Sequence, residues 1–204
     1  MKMINKQWWK DILSSPLPGE KAHRLMAPRF RGQFIHEGGP VEAAVMILMY
    51  PVSAGLSLVL IRRNAYPGHH SAQISLPGGM REAADRSLEY TARRETCEEL
   101  GIPDTIEILG SLTPLYIQVS NFLVTPFVGT VGHQPDFQPD GTEVQYLIEV
   151  PVNILTDPDH RGEEKIFRHG KHIVAPCYRV GDEFIWGATA MILSEFLELA
   201  SGMP

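Results

Sequence analysis

Glu95, Glu98 and Glu99 crowd into five consecutive positions of the stretch RRETCEELG, residues 93–101, with no lysine or histidine close by. On a helix, spacings of three and four bring side chains onto a common face, where like charges repel. Partly buried and unpartnered, such carboxylates would take up protons. The negative end of the helix macrodipole would add to the repulsion, because Gly101 and Pro103 mark the helix C-terminus here. Arg94 stands one turn before Glu98 and can steady it, but one guanidinium does not neutralise three carboxylates. A divalent cation does. Mg²⁺ prefers oxygen ligands and is commonly held by one or two carboxylates together with substrate phosphates. The chemistry to which these residues point is cation binding and, through the cation, phosphate binding.

The elements around the cluster support that reading. At about 3.6 residues per turn, a helix beginning near Asp85 or Arg86 and stopping at Gly101 places Leu88, Thr91 and Ala92 on an inward stripe. That stripe continues into Glu95, Glu98 and Glu99, while Glu89, Tyr90, Arg93 and Cys97 occupy the remaining surface. A solvated acidic face is the ordinary alternative, and it fits poorly with carboxylates that extend an apolar stripe. Upstream lies SLPGGMREAAD. Pro77 sets a turn, and Gly78 and Gly79 allow close backbone approach and can aim amide N–H groups at an anion. A Pro-Gly-Gly turn by itself is usually only a turn.

Residues 1–40 read as an N-terminal helical or irregular arm, in which Trp8, Trp9, Ile12 and Leu13 form one face of a short helix ended by Pro16 and Pro18. From residue 41 to 204 the texture is that of a domain. EAAVMILMYPV and LSLVLIRR form a hairpin across Ser53-Ala54-Gly55. A polar loop, NAYPGHHSAQ, and a short run, ISL, lead to the glycine pair. TIEILGSLTPLYI, NFLVTPFVGTV and EVQYLIEVP are further strands, VNILTD a short helix, and KIFRH, HIVAPCYRV and EFIW a meander. ATAMILSEFLELA closes the chain with helical spacing. Hairpins with interspersed helices imply an α/β fold with a mixed β-sheet rather than a doubly wound parallel sheet.

The order Gly79, Glu82, Asp85 and then Arg94-Glu95-Thr96-Cys97-Glu98-Glu99-Leu100-Gly101-Ile102 resembles the Nudix box of the pyrophosphohydrolase superfamily, G-x5-E-x7-R-E-U-x-E-E-x-G-U, with U a bulky apolar residue. Thr96 departs mildly at U. Gly79-x5 lands on Asp85, and eight residues rather than seven separate Asp85 from Arg94. That departure, together with RRNAYPGHHSAQISLPGG ahead of the box, is similar to the coenzyme A pyrophosphatase branch, although Ala72 sits where glycine is common. The likeness runs on through SNFLVTPFVGTV, GTEVQYLIEVP and FIWGATAMILSEFLEL, covering roughly residues 40–200.

The resemblance implies a Nudix-like α/β/α sandwich and hydrolysis of a pyrophosphate bond assisted by Mg²⁺ or Mn²⁺. It implies Glu98 and Glu99 as principal metal ligands, Glu95 as ligand or supporting carboxylate, and Arg94 as their orienting partner. Coenzyme A or its thioesters are the implied substrates, giving 3′,5′-ADP and 4′-phosphopantetheine or its acyl form. ADP-ribose, a dinucleotide polyphosphate or a nucleoside triphosphate are alternatives that keep the chemistry. A non-catalytic nucleotide-binding regulator is a further one, disfavoured because the box carboxylates are retained.

Glu143, just after Gly141-Thr142, is a candidate general base and equally a surface carboxylate. Arg62 and Arg63 close the second strand and are candidates for phosphate contact, to which arginine is suited; ordinary solvation is the alternative. His69 and His70 are adjacent and would point to opposite sides of an extended loop, so phosphate contact or loop packing suits His70 better than metal ligation. Gln73 is a candidate substrate donor or a loop tie, and Gly78 and Gly79 are candidate backbone contacts. Trp186 and Gly187 are expected to pack beneath the last helix.

With 44% apolar residues the 204-residue chain can bury a substantial core, and 18 basic against 24 acidic residues leave a net charge of −6, which argues against nucleic acid as partner. Two cysteines, Cys97 and Cys177, make no framework. No secretory leader or membrane span is legible, so a cytoplasmic location and no membrane partner are expected. A homodimer is expected from superfamily habit alone.

Overall fold

The computed structural model describes residues 4–29, 34–53, 55–64, 73–168 and 171–203. Its centre is strand β1 (Val41–Val52). Along it, Ala44, Met46, Leu48 and Tyr50 enter one apolar core, while Ala43, Ile47 and Met49 enter another. Successive side chains alternate across a strand, so an unbroken apolar run is what a strand covered on both faces requires. β2 (Gly55–Arg63) returns antiparallel to β1. The short β3 (Ile74–Ser75) pairs with β2, and β4 (Gly78–Met80) pairs with β1 where β2 has diverged.

Helix α3 (Leu88–Leu100) packs on the Ala44–Tyr50 face. β5 (Glu107–Ser111), β6 (Leu115–Ile117) and β7 (Phe122–Thr130) follow, with β7 parallel to β1 and antiparallel to the other two. β8 (Val144–Pro151) runs antiparallel along β2. The sheet is therefore mixed and open. The short helix α4 (Val152–Thr156) leads to a second, three-stranded antiparallel sheet of β9 (Arg161–Arg168), β10 (Lys171–Val180) and β11 (Glu183–Trp186). Helix α5 (Gly187–Ala200) then covers the second face of the main sheet, completing an α/β/α sandwich.

The N-terminal arm is part of that second core. Helices α1 (Lys6–Leu13) and α2 (Glu20–Leu25) bury Trp9, Leu13, Ala22 and His23. Asn5 caps α1 through its side-chain oxygen, which accepts from the Trp8 amide. Trp9 stacks on Phe196 of α5 with ring centroids 5.1 Å apart. The apolar face of a short helix has little stability alone, and docking on α5 supplies it.

Candidate active site

Helix α3 begins at Leu88 with Ser87 as its N-cap, slightly later than the sequence pattern predicts. Its buried side is Thr91, Ala92, Thr96, Glu99 and Leu100. The acidic stripe therefore splits. The Glu99 side chain is only 3% exposed, Glu95 is half-buried, and Glu98 is 61% exposed. The expected common inward face is thus corrected for Glu98, which lies at the solvent edge because the helix rotates it past the buried stripe.

Two guanidinium groups hold the cluster together. Arg94 donates to both oxygens of Asp85, at 3.1 Å from Nε and 3.0 Å from Nη2. Its Nη1 lies 3.0 Å from Glu95 and 3.1 Å from Glu98. Asp85, buried, also accepts from the Thr91 hydroxyl at 2.9 Å and the Glu82 amide at 3.0 Å. Arg94 above all, with these donors, holds the Asp85 carboxyl well below the usual carboxylate range. The Asp85 role, unassigned by the spacing, is to anchor Arg94 over the two glutamates.

Arg63 reaches the same helix from β2. Its Nη1 lies 2.9 Å from Glu99, whose other oxygen accepts from the Gly78 amide at 2.8 Å. Its Nη2 lies 3.8 Å from Glu143, an exposed carboxylate immediately before β8. Arg62 goes elsewhere. Strand alternation turns it to the opposite face, where it pairs with Glu183 at 3.0 Å. The structure thus brings Arg63, and not Arg62, to the acidic cluster. The clue was available in the sequence, since neighbouring strand residues face opposite ways.

Burial raises the Glu99 pKa to about 7, with Arg63 and the Gly78 amide only partly offsetting it and Glu95 and Glu143 adding repulsion. Burial also raises the Glu95 pKa, against the opposing pull of Arg94. These carboxylates are held together at an energetic cost that their surroundings do not fully relieve.

The glycine pair explains how they fit. Gly78 has φ +147°, a region that side-chain-bearing residues rarely adopt, and a Cβ there would collide with the Ala44 carbonyl. A Cβ on Gly79 would collide with the Glu95 carboxylate. Gly101, at φ 62°, ends α3 in the left-handed conformation, and the Gln138 amide donates to the Leu100 carbonyl at 3.0 Å. Gln73 lines the same site, and its carbonyl accepts from the Arg63 amide at 3.0 Å. His70 lies outside the described residues.

Among the described residues, no group of three acidic, histidine or cysteine side chains is already converged as a metal cage. The donor set nevertheless suits a hard dication. It is all carboxylate oxygen, it carries excess negative charge, and at Glu95 and Glu99 that charge is incompletely offset. Arg63 and Arg94 hold the carboxylates that such an ion would share.

Glu95, Arg63, Gly78, Gly79 and Glu143 line a cleft of about 810 Å³. Its floor is the sheet face formed by Val41, Ala43, Val45, Phe122 and Val124. Ala27, Pro28 and Phe34 of the arm, Ile173 of β10, and Met191 and Ile192 of α5 also line the cleft. Trp186 and Gly187 also line it, rather than only packing under α5.

An open mixed sheet between helices, with an arginine-clamped glutamate helix beside a glycine pair, defines the Nudix class of hydrolase. The NUDIX domain family matches residues 40–169, and the chain belongs to that family. It is 35% identical over 175 residues to a protein of Pectobacterium atrosepticum named uncharacterized Nudix hydrolase NudL, covering 83% of this chain and 87% of the relative. It is 33% identical to Nudix hydrolase 15, mitochondrial, of Arabidopsis thaliana, covering 76% of this chain and 56% of that longer protein. Solved structures share the fold: RenU, a Nudix hydrolase from M. Smegmatis, at TM-score 0.53 and 18% identity over 86% of this chain and 98% of that one, and a MutT protein from Methanosarcina mazei Go1 at TM-score 0.52 and 19% identity over 82% of this chain and 99% of that one. The protein is accordingly a hydrolase of phosphoric anhydrides, acting on a nucleoside diphosphate derivative. No helix among the described residues is long and apolar enough to cross a membrane.

Proposed function

We propose that the chain cleaves the diphosphate of coenzyme A or its thioesters, releasing 3′,5′-ADP and 4′-phosphopantetheine or its acyl form. The observation that carries this reading is a mainly apolar cleft of about 810 Å³ that has Glu95 of the acidic cluster in its lining, which suits a nucleotide diphosphate bearing a largely non-ionic arm. The box-flanking run RRNAYPGHHSAQISLPGG supports the same substrate.

Glu95, Glu98 and Glu99 would hold Mg²⁺ or Mn²⁺, which supplies polarisation of the phosphate oxygens and a more acidic bound water. The residues themselves do the positioning. Asp85 fixes Arg94, and Arg94 in turn orients Glu95 and Glu98. Arg63, beside Glu99 and Glu143, would meet a phosphate oxygen of the substrate. Glu143, exposed and a short reach away, takes the proton of the attacking water. Gly78 and Gly79 let the diphosphate lie against the backbone.

The test is an assay of coenzyme A with and without Mn²⁺, followed by identification of the products. Metal-dependent release of 3′,5′-ADP is expected. Turnover of ADP-ribose with coenzyme A untouched would overturn the substrate assignment, and tight nucleotide binding without turnover would overturn catalysis itself.

A further inference from the structure

The lining of the cleft comes from different parts of the chain. Arg63, Gly78, Gly79, Glu95 and Glu143 all lie inside the segment that matches the NUDIX family, residues 40–169. The lining contributed from outside it, Ala27, Pro28, Phe34, Ile173, Met191 and Ile192 among it, is apolar apart from the Thr189 hydroxyl and the Trp186 ring nitrogen. We infer that the N-terminal arm is a working part of the substrate site, and that together with α5 it walls an apolar subsite for an aliphatic chain borne by the substrate beyond its diphosphate. The inference rests on the reading that the diphosphate is cleaved at the acidic cluster.

The arm is built to hold that position. Glu195 of α5 is fully buried and accepts from the Gly19 amide at 2.9 Å and the Thr113 hydroxyl at 2.6 Å, with the His23 ring nitrogen 3.0 Å away. Glu195 lies one turn beyond Met191, so the helix surface that lines the cleft continues into the one that pins the arm. On either side of the cleft the arm is tied again. The Arg29 amide donates to the Val174 carbonyl at 3.3 Å, and the His36 ring meets the Gln118 carbonyl at 2.6 Å. The described residues of the arm therefore meet the small sheet at Arg29 and the segment between β6 and β7 at His36.

Size and chemistry select the occupant. A space of about 810 Å³ exceeds what a diphosphate needs and lies in the upper part of the ~300–1,000 Å³ typical of ligand sites. Sugar hydroxyls or base edges against this wall would lose water without gaining partners. A methylene chain gains about fourfold in affinity for each buried carbon.

The experiment is a pair of stopped-flow titrations in Mg²⁺, read before turnover by tryptophan fluorescence, to which the cleft-lining Trp186 contributes. Coenzyme A and its octanoyl thioester are compared on the wild type and on Ala27→Trp and Phe34→Ala. Octanoyl thioester binding at least ~10-fold tighter than coenzyme A is expected, with that ratio falling toward one in both variants. Equal affinities in the wild type, or variants that weaken both ligands alike, would overturn the subsite. If neither ligand binds, the substrate assignment falls on its own, and geranyl diphosphate against inorganic diphosphate repeats the comparison. Equal affinity there would overturn the subsite independently.

Discussion

Glu99 and Glu98 sit one residue apart and behave differently, because one is buried and the other is at the solvent edge. Glu98→Gln is expected to lower turnover about 100-fold or more while leaving stability within ~0.5 kcal/mol, measured by kinetics and urea denaturation. For Glu99 the prediction concerns pH. Its folded pKa, about 7, lies above the ordinary 4.5. The associated stability is present below that ordinary value and is lost as pH climbs toward 7, since ionisation costs the folded state more than the unfolded one. In EDTA, wild-type stability should fall across this window by about 3 kcal/mol relative to Glu99→Gln. Parallel pH profiles for the two proteins would refute it. Asp85→Asn removes the charge that anchors Arg94. It should cost about 3 kcal/mol and lower kcat, because Arg94 no longer orients Glu95 and Glu98.

At the scale of elements, the site depends on β4 running close against α3. A Cβ on Gly79 meets the flexible end of the Glu95 side chain rather than backbone. Gly79→Ala should therefore keep its circular dichroism spectrum and melting behaviour while losing at least about tenfold in kcat, as Glu95 is pushed off Arg94. Loss of the fold instead would show that the glycine serves packing alone. The end of α3 was legible in the sequence, since Gly101 followed by Pro103 is a left-handed cap and a barrier to restart. The start was less so, because Ser87, Arg86 and Asp85 all suit a helix entry and only the contact of Asp85 with Arg94 and Thr91 places Asp85 outside it.

For the whole molecule, the arm and the domain share one core. Glu195→Ala removes the acceptor of the Gly19 amide and the Thr113 hydroxyl and leaves His23 unpaired. A loss of about 3–5 kcal/mol is expected, with faster hydrogen exchange across α2 than across α3. Uniform loosening of both helices would show that the cluster does not act on the arm. Trp9 and Leu13 were recognisable as an apolar helix face, but nothing in their spacing names Phe196 as the partner.

What the sequence determined by itself was local and periodic: the alternating apolar strands, the capped glutamate helix, the glycine pair, and the spacing of a box that resembles the Nudix pattern. Those follow from interactions a few residues apart, which spacing encodes. The tertiary structure decided which of two adjacent arginines reaches the helix, which glutamate is buried, and that arm residues line the cleft. Each depends on groups far apart in the chain, such as Arg63 with Glu99 and Gly19 with Glu195, brought together only when the two faces of the sheet are covered.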